Sequence, residues 1–365
     1  MGERVAVAMS GGVDSSVAAA LLLEQGYEVV GLTMQIWPKS PPEEGCPGTS
    51  SCCGLEALED ARRVAHALGI RHYVVDLREA FQRLVIEPFC DSYVAGMTPN
   101  PCITCNTYLK YTELLRRAEE IGATHLATGH YVRAGYDEAR GRWALRQAAD
   151  TSKDQSYALY DLSQEQLAKA LFPLGEMTKA ETRRRATSLG LPVAEKPDSQ
   201  QICFVSEGSY GEYVARLRPG AARPGPIVDR EGRQLGRHRG LIHYTIGQRQ
   251  GLRIAHPRPL YVVGIEPGEN RLIVGEEEDL AVAGLAMERV NYVAFSGLPP
   301  AGAPVSVKIR YKAQPELGRA VPKGDQVRLD FCHPLRAVTP GQAAVCYDGD
   351  VLAFGGIIVS AILGE

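Results

Sequence analysis

The sequence predicts an α/β domain with a parallel sheet, then a small mixed domain, then a C-terminal all-β, barrel-like domain. Over the first two hundred residues, apolar β-branched runs alternate with helical patterns, which is typical of a parallel sheet with helices on both faces. Prolines and glycines at 219–226 then interrupt the chain, and from about residue 276 onward only strand patterns remain. We therefore expect domains at residues 1–205, 206–275 and 276–365.

The first domain is predicted from apolar periodicity and from helix start and stop signals. Thr178 and Glu181 form a capping-box pattern, and Gly190 follows as a C-terminal stop. The ranges are strands at 5–8, 28–34, 73–76 and 125–128, and helices at 17–23, 55–68, 111–121 and 178–189. Since ligands of such sheets bind at the carboxyl ends of the strands, we expect the loops at 10–16, 34–37, 97–106 and 129–131 to line the site.

The remainder of the chain is predicted as short strands joined by turns. Residues 267–270 read as a turn, and Asp348 with Gly349 reads as a hairpin turn. The predicted strands are 260–265, 271–275, 305–311, 326–331, 343–347 and 351–358.

The segment from Ala8 to Ser16 reads Ala-Met-Ser-Gly-Gly-Val-Asp-Ser-Ser and lies between the first strand and the first helix. Gly11 and Gly12 lack a Cβ, so their backbone can approach a ligand closely. The free amides and the dipole of a helix N-terminus favour an anion. No lysine follows the glycines, so this is not a Walker A loop, and the dinucleotide spacing of glycines is absent. The pattern predicts a phosphate site.

Composition limits the function classes. The 365 residues carry a net charge of −3, which gives no support to a nucleic-acid partner on bulk charge. Local basic stretches at 183–185, 230–258 and 308–312 fit phosphate binding and solvated faces equally well. No apolar run is long enough to cross a membrane and no cleavable leader pattern is present, so we expect a cytoplasmic chain without a membrane partner. In that compartment, nine cysteines suggest thiols, metal ligands or catalytic groups.

The cysteines differ in their surroundings. Two prolines stiffen the segment 98–106, which presents Cys102 and Cys105, and Cys203 follows about a hundred residues later. Phosphate chemistry beside Cys105 and Cys203 suits sulfur transfer to an activated carbon. Three further cysteines lie in the polar stretch 38–54, where a surface loop, a lid and a metal-binding loop remain open: Cys46, Cys52 and Cys53. Three others lie in apolar patterns and are interpreted as core residues: Cys90, Cys332 and Cys346.

The Ser-Gly-Gly-x-Asp-Ser loop resembles the PP-loop of ATP pyrophosphatases, which implies cleavage of ATP between its α and β phosphates and an adenylated substrate. Further motifs follow in order at 31–34, 100–106, 127–131, 153–157, 202–204, 243–249, 310–311 and 339–342. Together they resemble the tRNA-specific 2-thiouridylases over nearly the whole chain. This resemblance implies an adenine nucleotide α-hydrolase-like fold, ATP with Mg²⁺, and sulfur placed on C2 of the wobble uridine of Lys-, Glu- or Gln-type tRNA.

The resemblance also implies roles for individual residues. Cys203 would carry a persulfide received from a sulfur-relay protein, and Cys105 would be its partner thiol, with a Cys105–Cys203 disulfide as an intermediate. The ATP-binding residues would be Ala8, Met9, Ser10, Gly11, Gly12, Val13, Asp14, Ser15, Met34 and Gly129. The target base would be held by Asn100, Pro101 and Cys102. The tRNA would be contacted by His130, Lys153, Asp154, Gln155, Arg310, Tyr311 and Gln342.

One position departs from the family pattern, and rival functions remain open. Many members carry Asp where this chain has Cys102, so a [4Fe–4S] cluster on Cys102, Cys105 and Cys203 is an alternative sulfur carrier. A different PP-loop ligase would not need the paired Cys105 and Cys203. A non-enzymatic tRNA-binding sulfur carrier would not need the intact phosphate loop.

Overall fold

The computed structural model describes residues 2–37, 54–197, 202–205 and 209–364. The loop cysteines Cys46, Cys52 and Cys53 lie outside these ranges, and so does most of the 38–54 loop. The chain divides into two compact units. The first contains Met1–Val85, Cys102–Ser206 and Asp350–Leu352, and the second contains Ile86–Pro101, Glu207–Gly349 and Ala353–Glu365.

A five-stranded sheet forms the centre of the first unit, with the strand order β3-β2-β1-β4-β7 and every pairing parallel. An antiparallel hairpin, β5–β6, accompanies it. The strands are β1 Arg4–Ala8, β2 Glu28–Gln35, β3 Arg71–Asp76, β4 His125–Ala127, β5 Arg133–Asp137, β6 Arg142–Arg146 and β7 Ala170–Leu171. The predicted parallel sheet is confirmed, because buried strands and the helices between them alternate as the sequence pattern requires.

The helices follow most of the predicted starts and stops, and none of those in the described ranges is long and apolar enough to cross a membrane. Their bounds are α1 Val13–Glu24, α2 Leu55–Ala67, α3 Arg78–Phe81, α4 Glu87–Val94, α5 Pro101–Thr104, α6 Leu115–Glu120, α7 Gln164–Ala168, α8 Lys179–Ser188 and α9 Tyr210–Leu217. Short 3₁₀ turns occupy Ser156–Leu159, Leu241–His243 and Glu278–Leu280, and π-helical segments occupy Gln82–Ile86 and Cys105–Leu114.

Two helix predictions have different outcomes. The capping box before α8 is confirmed: the Thr178 hydroxyl accepts from the Glu181 amide at 3.2 Å, and the Glu181 carboxylate accepts from the Thr178 amide at 2.7 Å. The helix predicted at 111–121 begins earlier. It starts as the π-helical segment Cys105–Leu114 and continues as α6, so its first turns are wider than those of an α-helix.

The second unit contains a small sheet with the order β10-β11-β8-β9. Its strands are β8 Gly225–Val228, β9 Gln234–His238, β10 Tyr261–Glu266 and β11 Arg271–Gly275. A separate apolar core, built on Ile227, Val262, Leu272 and Val274, holds these strands together. The turn at 267–270 joins β10 to β11 as predicted.

Six further strands form an antiparallel closed barrel, and all of their residues except Val351 and Leu352 belong to the second unit. They are β12 Ala281–Tyr292, β13 Ala303–Lys308, β14 Glu316–Lys323, β15 Gln326–Arg336, β16 Ala343–Asp348 and β17 Val351–Ile362. Pairing of β12 with β17 closes the order β12-β15-β14-β13-β16-β17, and residues such as Leu285, Val307, Leu329 and Phe354 fill the interior. The predicted barrel-like domain is confirmed.

Two details of the barrel prediction are wrong. The strand expected at 305–311 ends at Lys308, which is itself buried, so Arg310 and Tyr311 lie in the following bend and turn. The alternation of basic residues at 308–312 therefore does not line one face of a strand. Cys332 is exposed and is not a core residue, whereas Cys90 and Cys346 are buried as expected.

Candidate functional site

The phosphate loop occupies the turn between β1 and α1. Gly12 is the N-cap of α1 and has no side chain with which to cap the helix, so the first-turn amides remain for a ligand. The hydroxyls of Ser10 and Ser15 lie 3.3 Å apart, and Ser15 also accepts from the Ser10 amide at 3.2 Å. These contacts hold the loop in shape within the first unit.

Two glycines bring neighbouring segments against this loop. Gly11 has a φ of +69°, and a Cβ there would lie 2.1 Å from the carbonyl oxygen of Ala57. A Cβ on Gly129 would lie 2.6 Å from the amide nitrogen of Ser15. Both distances exclude any side chain, so the backbone after β4 lies directly on the first turn of α1.

Asp14 is the acidic residue of the loop, and an ammonium group holds it. Lys179, the first residue of α8, contacts both Asp14 carboxylate oxygens, at 2.7 and 2.8 Å. The Tyr131 hydroxyl donates to the same carboxylate at 2.9 Å and lies 2.9 Å from the Thr182 hydroxyl. With 12% of its side chain exposed, Lys179 is positioned before any ligand arrives. The site therefore combines helix amides with a fixed cation, as a phosphate site requires.

Sequence reasoning missed Lys179. A local signal was nonetheless present, because a lysine at the first position of a helix opposes the helix dipole, and acidic residues are favoured there. Such a placement needs a compensating partner, and Asp14 is that partner.

The other ATP-binding candidates contribute in different ways. Met9 and Val13 are buried in the apolar core, so only their backbone is available to a nucleotide. Met34 is half-buried near the end of β2, where an apolar side chain can pack against a base. Ala8 ends β1 and is half-buried.

Cys105 and Cys203 both belong to the first unit, and both are half-exposed. Cys105 opens the π-helical segment Cys105–Leu114, a local geometry that is frequent at functional sites. Cys203 precedes Phe204, whose ring packs edge-on against Phe81 with centroids 5.6 Å apart. Phe81 ends α3, and α3 packs against the π-helical segment. A short series of contacts thus connects the two cysteine segments.

The segment around Cys105 is anchored by Asn106. Its buried carboxamide donates to the Ala158 carbonyl at 2.9 Å and accepts from Lys110 at 2.8 Å.

Cys102, by contrast, is exposed on α5. Across residues 2–37, 54–197, 202–205 and 209–364, no three His, Cys, Asp or Glu side chains are arranged to hold a metal ion. The residues present therefore do not form the three-thiol site that a cluster on Cys102, Cys105 and Cys203 requires.

In the second unit, the residues before α5 are held by a turn of the barrel. The Thr98 amide donates to the Pro340 carbonyl at 2.9 Å, and the Gln342 side-chain amide donates to the Thr98 carbonyl at 2.7 Å. Asn100 is half-buried and Pro101 buried in the same stretch. The predicted tRNA-contacting residue Gln342 therefore has an internal partner.

Asp154 and Gln155 also have internal partners. Asp154 is buried and accepts from the amides of Ala148 and Ser156 and from the Ser156 hydroxyl, at 2.9 to 3.2 Å. Gln155 accepts from the Tyr131 amide through its side chain at 2.9 Å. These bonds order the 153–156 loop next to Tyr131, whose hydroxyl contacts Asp14.

His130 is neutral in this environment. Burial and the nearby Lys110 ammonium hold the pKa of His130 well below its usual value. Its Nδ1 lies 2.7 Å from the Thr128 hydroxyl, which fixes the ring beside the end of β4. Three other predicted contact residues lie at least partly exposed: Lys153, Arg310 and Tyr311.

This fold and this loop define a protein of the PP-loop nucleotide-binding class. Family models match three consecutive ranges: a tRNA methyl transferase HUP domain at 3–207, a tRNA methyl transferase PRC-barrel domain at 212–276 and an aminomethyltransferase β-barrel domain at 282–358. The chain is 50% identical over 355 residues to the tRNA-specific 2-thiouridylase MnmA of Moorella thermoacetica, covering 97% of this chain and 99% of that protein. It is 49% identical over 362 residues to that of Heliobacterium modesticaldum, covering 98% and 93%.

The chain therefore belongs to the tRNA-specific 2-thiouridylase family. Among solved structures, the NMN synthetase of Francisella tularensis matches with a TM-score of 0.33 and 17% identity, over 59% of this chain and 77% of that one. A likeness this small carries no argument about function.

Proposed function

We propose that this chain is an ATP-dependent enzyme that replaces the C2 oxygen of the wobble uridine of tRNA with sulfur. The observation that carries the proposal is the Asp14–Lys179 pair on the phosphate loop, in the same unit as Cys105 and Cys203. The names of the relatives, which are tRNA-specific 2-thiouridylases, supply the substrate class.

The first step activates the base. The uridine C2 oxygen attacks the α phosphorus of ATP, the bond to the β phosphate breaks, and pyrophosphate leaves. The ring nitrogen loses its proton, so the base becomes an O2-adenylated ring with AMP as its leaving group. The amides of α1 and the Lys179 ammonium stabilise the charge on the phosphates. Mg²⁺ would accompany ATP, bound mainly by phosphate oxygens, with Asp14 as the loop's carboxylate.

The second step delivers sulfur. A sulfur-relay protein loads Cys203 as a persulfide, and the terminal sulfur attacks C2 as AMP departs. The Cys105 thiolate then attacks the Cys203 sulfur and breaks the S–S bond, which releases 2-thiouridine and leaves a Cys105–Cys203 disulfide. In the alternative order, the Cys105 thiolate first attacks the Cys203 sulfur of the persulfide and releases hydrosulfide. The hydrosulfide then attacks C2 as AMP departs. In both orders an external thiol must reduce the disulfide before the next turnover.

The remaining candidates position the substrate in this proposal. Asn100, Pro101 and Cys102 hold the extruded base, and His130, Lys153, Arg310 and Tyr311 contact the RNA. Three predicted contact residues make hydrogen bonds inside the protein instead: Asp154, Gln155 and Gln342. In this proposal they order the loops that hold the base and contact the RNA. We retain the division at residues 205 and 275 as the boundaries of a catalytic and two tRNA-contacting regions. Lys-, Glu- and Gln-type tRNAs are the proposed substrates.

The test is mass spectrometry of nucleosides from unmodified tRNA after incubation with enzyme, ATP and a persulfide sulfur donor. We expect 2-thiouridine, strict dependence on ATP, and tRNA-dependent ATP–pyrophosphate exchange. Cys203→Ser and Cys105→Ser should lose thiolation from a persulfide donor but retain the exchange reaction. The matched control is Cys332→Ser, which removes an exposed thiol from the barrel. Substantial thiolation by Cys203→Ser would refute the assignment.

The same experiment separates the rivals. With a sulfonium methyl donor added to the incubation, a methylated nucleoside would favour the methyl transfer named in the descriptions of two matching family models. Pyrophosphate exchange that needs a small molecule in place of tRNA would identify another PP-loop ligase. Tight tRNA binding without exchange would identify a sulfur carrier.

A further inference from the structure

A small basic cavity lies in the second unit, beside the sheet β10-β11-β8-β9. Its volume is about 160 Å³, and six of its lining residues are polar or charged: Arg237, Arg239, His243, Tyr244, Gln248 and Arg253. Sites for drug-sized molecules usually measure about 300–1,000 Å³. The cavity is therefore suited to a single small group such as one phosphate, not to a whole nucleotide.

The arginines of this cavity lack close carboxylate partners. Among the described residues, no carboxylate lies within 4.0 Å of Arg237 or Arg253, and Arg239 reaches only one oxygen of Glu212, at 3.9 Å. Four other arginines of the same region have carboxylates at hydrogen-bond distance: Arg230 with Asp279, Arg233 with Asp229, Arg258 with Glu276 and Arg271 with Glu266. Within the described ranges, the charges of Arg237 and Arg253 are thus left without an ion-pair partner, and that of Arg239 is only weakly paired.

His243 adds a donor. Its Nδ1 is buried and has no hydrogen-bond partner among the residues that the structure describes, and a Cβ on Gly211 would lie 2.2 Å from that atom. Nδ1 therefore faces the first turn of α9, where the backbone amides carry partial positive charge. That position favours an unprotonated Nδ1, so Nε2 carries the proton and is the ring nitrogen left for the cavity.

The backbone conformation of Arg253 also indicates that the cavity is a binding site. Its φ is +56°, in the left-handed region that glycine adopts readily and other residues adopt seldom. Strained positions of this kind persist where the surrounding structure imposes them, and they cluster at binding sites. Glycine would adopt this backbone conformation more easily than arginine. The presence of arginine is therefore explained by its guanidinium group, which lines the cavity.

Gln248 fixes the loop that forms the cavity wall. Its side chain accepts from the Thr245 amide at 3.1 Å and donates to the Gln250 carbonyl at 2.9 Å. The cavity is therefore built by the loop itself before any ligand is bound.

We propose that this cavity binds one phosphate group of the RNA backbone, clamped by Arg237, Arg239 and Arg253 with a hydrogen bond from His243. The inference rests on the proposed function, because it takes the substrate to be tRNA. Guanidinium groups bind phosphate oxygens through paired hydrogen bonds, and exposed arginines can reach a phosphate that remains part of a polymer. A contact of this kind positions the RNA without reading its sequence.

The test measures the affinity of the full chain for unmodified tRNA over a series of KCl concentrations. We expect Arg237→Gln to weaken binding about tenfold and to reduce the slope of log affinity against log salt by about 1. Arg253→Gly should do the same without straining the backbone, since glycine accepts the positive φ. The matched control, Arg233→Gln, removes an exposed arginine that is paired with Asp229 and should change affinity by about twofold or less.

A second arm identifies the source of the phosphate. Inorganic phosphate is titrated against the full chain by isothermal titration calorimetry. Weak phosphate binding that both variants lose, together with their loss of tRNA affinity, supports the proposal. Phosphate binding with unchanged tRNA affinity and salt slope in both variants overturns it and identifies a free-anion site. Unchanged tRNA binding without phosphate binding also overturns it. If the wild-type chain binds tRNA in this pattern but forms no 2-thiouridine, the proposed function fails while the cavity proposal stands.

Discussion

The phosphate loop and the basic cavity both contain positively charged side chains, but among the described residues only the one at the loop is held closely by a carboxylate. At the loop, Lys179 is held by both oxygens of Asp14 and is largely buried. In the cavity, Arg237 and Arg253 are exposed and no carboxylate in the described residues lies within 4.0 Å of them. A group that stabilises a reacting phosphate must be positioned in advance, whereas a group that grips an RNA backbone needs mainly its charge. The comparison predicts large effects on turnover at the loop and moderate, salt-dependent effects on binding at the cavity.

The largest effect should come from Lys179→Met. It removes the fixed cation and leaves the Asp14 carboxylate close to the incoming phosphates, so we expect kcat/KM for ATP to fall by about 1,000-fold. Steady-state pyrophosphate release measures it. Lys169→Met is the control, since Lys169 pairs with Glu119 on the surface. Near-normal turnover by Lys179→Met would remove the central distinction between the two sites.

Gly129→Ala should have the next largest effect. The added methyl group would lie 2.6 Å from the Ser15 amide nitrogen and would displace the first turn of α1. A displacement of about 1 Å is expected to cost about 100-fold in kcat/KM for ATP. Gly135→Ala is the control, because a Cβ there meets no atom within 4 Å. Thermal unfolding of both variants separates a local displacement from a loss of the fold.

Gln342→Leu tests whether Gln342 of the barrel holds the Thr98 segment in place or contacts tRNA directly. Loss of its amide leaves the Thr98 carbonyl without that donor, so we expect kcat to fall about tenfold while KM for tRNA and the salt slope stay unchanged. A higher KM with unchanged kcat would instead make Gln342 a direct tRNA contact. Gln326→Leu, on the exposed end of β15, is the control.

The smallest effect concerns pH at the cavity. Burial and the nearby Arg239 lower the pKa of His243, and Glu212 partly opposes this. His243 is therefore neutral at pH 7.5, and it gains a positive charge only as the pH falls below the usual histidine value of about 6.5. We expect tRNA affinity to rise about threefold between pH 7.5 and pH 5.5, and His243→Gln to abolish the rise. Weaker binding on acidification in the wild type would contradict the role of His243.

The loop was predictable from sequence because its determinants are adjacent: the two glycines, the acid and the serines follow one another between an apolar strand and a helix. Lys179 was not, because it lies 165 residues from Asp14: a lysine at a helix start signals that a partner is needed, but not which residue supplies it. The fold class was predictable from the alternation of patterns, which depends on burial. Arg310 and Tyr311 were misplaced, because the alternation of polar residues continues past Lys308 although the strand does not.

The cavity shows a second limit of sequence reasoning. The basic stretch at 230–258 was visible, but its arginines looked equivalent. What distinguishes them is which carboxylates the fold brings near: Asp279 reaches Arg230 and Glu276 reaches Arg258, whereas Arg237 and Arg253 line the cavity. Those partners are supplied by segments farther along the chain, so the charge that remains for a ligand becomes apparent only after folding.

The first unit also includes three residues from near the end of the chain. Asp350 pairs with Arg133 at 2.8 Å and accepts from the Gln147 amide at 2.8 Å, and Val351 pairs with Arg146. During synthesis, the first unit therefore cannot complete its own contacts until residue 352 has emerged from the ribosome. A nascent chain stopped at residue 205 would leave the edge of the β5–β6 hairpin open, and premature termination products would expose an unpaired strand to aggregation.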